Sequence, residues 1–86
     1  MNAKRRQNEK KFPNWIELPN GGRKYWHEIK GKSDFRARYL KEVDENEKTA
    51  KFYQEIYDPE GNLIEIYEKF PVDLGHRKVR QKGGLE

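Results

Sequence analysis

Eighty-six residues suffice for one small domain, and a chain of this size buries only roughly 60–65% of its unfolded surface, so the core must be thin. Apolar residues make up 33% and charged residues 40%, near the limit of autonomous folding, and the 13% aromatic content has to supply much of the burial. The absence of cysteine excludes disulfide staples, a thiolate zinc site and a cysteine nucleophile, and no apolar run approaches the roughly 18 residues that cross a bilayer.

Residues 1–12 carry Lys4, Arg5, Arg6, Lys10 and Lys11 against Glu9, a local charge of +4, with no apolar segment of the kind that follows a signal peptide's basic start. A helix over 3–12 would offer only Ala3 and Phe12 as apolar contacts, so the segment is expected as a flexible basic arm and a poor cover for a sheet. The chain accordingly reads as soluble and cytoplasmic, or as part of a larger exported protein. Residues 13–73 form the expected domain, with a net charge of −3, and residues 74–86 a second flexible basic tail of +3 whose final Leu85-Glu86 resembles a cloning scar.

From Pro13 the hydropathy pattern has period two, with aromatic and β-branched residues separated by Gly, Pro, Asn and Asp. Strands are expected over 15–18, 24–29, 35–43, 50–57 and 63–70, joined in order as an antiparallel all-β meander. Pro19-Asn20-Gly21-Gly22 and Asp58-Pro59-Glu60-Gly61-Asn62 are the strong turn signals, and Pro71 ends the last strand. If Asp58 faces Asn62, Ile56 meets Ile64 on one face, while Tyr53 meets Tyr67 and Glu55 meets Glu65 on the other. Pairing Val43 with Ala50 sets Ala37 opposite Ile56, Arg38 opposite Glu55 and Glu42 opposite Lys51. The expected core face is then Phe35, Ala37, Tyr39, Val43, Phe52, Ile56, Ile64, Ile66 and Phe70, joined by Ile16, Leu18 and Trp26 or Ile29. Curling of the sheet into a small SH3-like or partly open barrel would cover it, and a helix laid on one face is the alternative, one that would draw on residues beyond this sequence.

The other face presents Arg36, Arg38, Lys51, Tyr53, Tyr57 and Tyr67, cations interleaved with rings on which unpaired bases stack. Basic arms, with Arg77 and Lys78 in the second, would add phosphate contacts. The reading is a non-catalytic binding module for RNA or another anionic partner. A metal-independent ribonuclease is the first alternative: Glu55 and Glu65, side by side, would provide a carboxylate base, Arg36 and Arg38 would hold the phosphate, and His27 or His76 would serve as the acid. A protein-interaction domain is the second, since Tyr, Trp and Arg dominate interface hot spots. No cofactor is called for, and the two glutamates lack a third ligand for a metal ion.

The segment Tyr57-Asp58-Pro59-Glu60-Gly61-Asn62-Leu63 resembles the YD-repeat signature of Rhs-type bacterial polymorphic toxin proteins, in which Tyr-Asp, two variable residues, Gly-Asn and an apolar residue recur. The resemblance covers seven of the 86 residues and occurs once. It implies a β-rich segment of such a protein, whose small C-terminal toxin domains are often nucleases, and it carries over no catalytic residue.

Overall fold

The computed structural model describes residues 3–72 and 75–78, with the side chains of 75–77 excepted. A helix α1 (Ala3–Lys11) precedes six strands: β1 (Asn14–Glu17), β2 (Arg23–Lys30), β3 (Arg36–Val43), β4 (Thr49–Tyr57), β5 (Leu63–Phe70) and β6 (Gly75–Lys78). The strands form one antiparallel sheet in chain order, the all-β meander expected. The sheet is open, with β1 and β6 at its edges, so the expected closure toward a barrel is not made among the described residues. The sixth strand lies within the segment expected as a tail; residues 79–86, including Leu85-Glu86, lie outside the described residues.

Three of the hairpin loops share one geometry. In Leu18–Gly22, Asp44–Lys48 and Asp58–Asn62 the first residue's N–H donates to the fifth residue's carbonyl at 2.9 Å, and the fourth N–H donates back to the first carbonyl. This is a type I turn completed by a residue in the left-handed region. Gly21 and Gly61 hold that position with φ of 89°, while Glu47 holds it at 67° without glycine's freedom. Asp44 and Asp58 each accept two backbone N–H bonds on Oδ1, which fixes the turns in place. At Gly22, a Cβ would lie 2.1 Å from the Val43 carbonyl oxygen, so the backbones pass too closely for any side chain.

The β3–β4 register agrees with the expectation from Arg36↔Tyr57 to Glu42↔Lys51, after which a bulge sets Val43 opposite Thr49 rather than Ala50. Between β4 and β5 the expectation holds only at Tyr57↔Leu63. The next pair is Ile56↔Glu65, leaving Ile64 as an extra residue on β5, and a second shift leaves Lys69 between Glu68 and Phe70. Because side chains alternate between faces, the one-residue offset turns the middle of β5 over. Tyr67 joins Gln54 and Tyr39 on one face, and Ile66 joins Glu55 and Arg38 on the other. The turn residues predicted the hairpin but carried no signal for the bulge behind it.

Burial also departs from the expected core. Phe12, Tyr25 and Val43 are 0–2% exposed and form one cluster with half-buried Phe52. Leu40, assigned to the open face, is 1% exposed, and the register sets it between Trp26 and Tyr53. Ile16, Ile29, Phe35 and Phe70, assigned to the core, are exposed. Helix α1 covers the Tyr25 end of one face and leaves Ile29 and Phe70 of that face exposed, while Leu40 is buried on the opposite face.

The helix forms because Lys, Arg, Gln and Glu are good helix formers, its last turn carries Lys10 and Lys11 at the negative end of the dipole, and Pro13 stops it. It has no apolar stripe, and Asn8 is its buried residue. Its attachment is polar instead. Asn8 Nδ2 donates to Glu47 Oε2 and Arg5 Nε to Glu47 Oε1, each at 3.2 Å, and Arg23 pairs with Glu9 at 2.8 Å. The Tyr25 hydroxyl also donates to Glu47, and Phe12 packs on Tyr25 at 5.8 Å between ring centroids. An apolar-contact criterion misses such a lid.

Candidate anion-binding site

Alternation along β3 puts Lys41 on the helix-covered face, opposite Tyr25 on β2 and Phe52 on β4. An ammonium at an inward position needs a partner, and Lys41 Nζ donates to Asn8 Oδ1 at 3.0 Å. That acceptor is neutral. Lys4 lines the surrounding recess from α1 and Lys48 from the Asp44–Lys48 turn, while Asn8 and Glu47 form its inner wall, with a cavity of about 250 Å³. A second recess of about 340 Å³ adjoins it through Lys41 and Thr49 and is lined further by Lys11, Phe12, Phe52 and Phe70. Lysines from the helix, a central strand and a turn therefore converge on one patch.

Burial and the nearby Lys11 and Lys4 lower the Lys41 ammonium below the ordinary lysine value, against the pull of Glu47. Burial raises Glu47, yet hydrogen bonds from Tyr25, Asn8 and Arg5 outweigh it and keep the carboxylate below its usual range. Glu47 is thus an ionised anchor whose oxygens are already engaged. Among the described residues, Lys11, Lys41 and Lys48 make no ion pair within 4 Å. Such a patch attracts anions and is weakened by salt.

The residues singled out from sequence are distributed differently. Arg36, Arg38, Lys51, Tyr53 and Tyr57 do share the far face, as the β3–β4 register required. There the Arg38 guanidinium pairs with Glu28 at 3.2 Å and lies 5.3 Å over the Tyr57 ring. Tyr53 donates to Glu42 at 3.0 Å and Tyr57 to Glu55 at 2.8 Å, and burial followed by these carboxylates raises both phenols. Arg36 is exposed beside a recess of about 310 Å³ that also contains Glu28, Asp58 and Glu60. The far face is therefore mixed in charge rather than basic.

Tyr67 stands on the helix-covered face, where the Lys69 ammonium lies 5.1 Å from its ring centroid and 5.6 Å from that of Phe52. Glu55 and Glu65 do not form the expected pair: Glu55 meets Ile66 and Glu65 meets Ile56, so the bulge at Ile64 puts the carboxylates on opposite faces. His27 stacks on Tyr39 at 5.3 Å and meets Phe12 edge-on at 5.7 Å, a packing role on the face opposite Glu55 and Arg38. Lys78 is exposed on β6, and the His76 and Arg77 side chains lie outside the described residues. Among the described residues no group of three or more His, Asp and Glu could hold a metal ion, and no helix is long and apolar enough to cross a membrane.

Sequence reasoning missed Lys4, Lys11, Lys41 and Lys48 as a group. One signal was present: Lys41 interrupts the inward series Phe35, Ala37, Tyr39, Val43, a charged residue where the alternation calls for an apolar one. No family model matches the chain, and no curated protein or solved structure is detectably similar to it. The resemblance of Tyr57–Leu63 to the YD repeat rests on those seven residues alone.

Proposed function

We propose that the chain is a non-catalytic binding module for RNA, held through its phosphates, and that the contact surface is the helix side of the sheet rather than the Arg36 and Arg38 face. The supporting observation is the convergence of Lys4, Lys11, Lys41 and Lys48 around a floor whose carboxylate, Glu47, is already engaged. Each lysine that meets a phosphate releases a counterion, so a cluster of four gives affinity that falls steeply with salt. The split between Glu55 and Glu65 removes the paired carboxylates on which the ribonuclease alternative was built. The test is a titration of labelled single-stranded RNA at about 50 and 200 mM salt, with the samples then run on a gel. Salt-sensitive binding with intact RNA is expected. Cleavage would restore the ribonuclease reading, and an absence of binding would leave protein interaction as the role.

A further inference from the structure

The aromatic recess beside the lysines has no part in a purely electrostatic contact. Its floor is Phe12, 2% exposed, and half-buried Phe52, while Phe70 stands at its edge with 39% of its surface in solvent. Phe70 is thus a part-exposed ring at the rim of a recess lined by two further rings, a concave aromatic surface on which a flat group can lie. The volume of about 340 Å³ lies at the small end of the roughly 300–1,000 Å³ typical of ligand sites, enough for one flat ring system. Lys11 and Lys41 edge the recess, and Lys41 with Thr49 also lines the lysine recess next to it. A phosphate held between these lysines would therefore carry its attached base to the phenylalanines.

We infer that the Phe12, Phe52 and Phe70 recess accepts an unpaired nucleobase, which makes the partner a single-stranded nucleic acid. This rests on the phosphate-binding reading above and adds the class of strand. In a duplex the base faces are stacked on their neighbours, so a ring-lined recess selects strands whose bases are free. Every base has a π-face, so the site discriminates strand state more than sequence. The Lys69 ammonium lies 5.6 Å from the Phe52 ring centroid and adds a cation at that ring.

The experiment compares three probes on the full chain by fluorescence anisotropy or competition: labelled single-stranded oligouridylate, duplex RNA of equal length, and inorganic polyphosphate. Oligouridylate should bind more tightly than duplex. Phe70→Ala should weaken oligouridylate binding at least about five-fold, the effect of losing one base-stacking ring, and leave polyphosphate binding unchanged. Phe70→Tyr, which retains a ring, should restore the loss. Equal affinity for single strand and duplex, an unchanged oligouridylate affinity in Phe70→Ala, or parallel losses for oligouridylate and polyphosphate would each overturn the nucleobase site while phosphate binding stands. If neither polyphosphate nor RNA binds, the phosphate reading falls and this inference falls with it.

Discussion

The two cationic regions of this molecule contain similar residues and differ in what surrounds them. On the far face, Arg38 is matched by Glu28 and laid over Tyr57, and the recess beside Arg36 contains three acidic residues. On the helix side, Lys41 is hydrogen-bonded to a neutral amide, and Lys11 and Lys4 act on it against the pull of one carboxylate, Glu47. Counting Lys and Arg along the chain favours neither region. The difference lies in how many carboxylates face the cations: three acidic residues line the recess beside Arg36, whereas the lysine recess has Glu47 alone, which already pairs with Arg5 and accepts from Tyr25 and Asn8.

The largest effect is expected at Glu47. Replacing it with Ala leaves the Tyr25 hydroxyl and the Asn8 amide without their acceptor and should cost about 2–4 kcal/mol in denaturant unfolding, with loss of the helix and of RNA binding. Glu47→Gly removes the same bonds but suits the left-handed φ of 67°, so it should be about 1 kcal/mol less damaging than Glu47→Ala. If the two variants unfold at the same denaturant concentration, the turn is not strained at Glu47.

Gly61 is the matching position in the turn at the opposite end of β4, where a Cβ would meet nothing within 4 Å. Gly61→Ala should therefore cost only the backbone term, about 1 kcal/mol, and leave RNA affinity unchanged. A loss of binding in this variant would place the contact surface at the wrong end of the sheet.

Acidity sharpens the contrast more gently. Glu47 has a folded value below its unfolded one, so its stabilisation is present above the ordinary glutamate range and is lost as pH falls through the folded value. Acid unfolding should begin with the helix, followed by the Tyr25 environment in near-ultraviolet circular dichroism, and Glu47→Gln should flatten that limb. Lys41 has a folded value lowered from 10.5, so in the alkaline range stability rises with pH as this amine discharges more readily folded than unfolded. RNA affinity should move the opposite way, falling a few-fold as Lys41 loses its charge before ordinary lysines do. In Lys41→Ala that fall should shift to higher pH.

How much of this was legible in the sequence varied with the range of the interaction. Strands β1–β5 and the β3–β4 register were readable because alternation and turn residues act over a few neighbours. The β5 faces were not, since a bulge at Ile64 is decided by packing across strands and not by the Pro59-Glu60-Gly61 turn that precedes it. The helix lid was misjudged because its hold depends on Asn8, Glu9 and Arg5 meeting partners 14 to 42 residues away, contacts that hydropathy does not encode. The site followed the same pattern: Lys41 was visible as an anomaly on an inward face, but Lys4 and Lys11 joined it only once the helix was placed.

The most direct measurement is RNA affinity across salt for three proteins: the unaltered chain, Lys11→Ala with Lys41→Ala, and Arg36→Ala with Arg38→Ala. The lysine pair should lose about tenfold in affinity and reduce the salt slope by about 1.4, the value for two phosphate contacts on a single strand, whereas the arginine pair should bind within about twofold of the unaltered chain. An arginine pair that abolishes binding, or a lysine pair that leaves both affinity and slope intact, would contradict binding on the helix side.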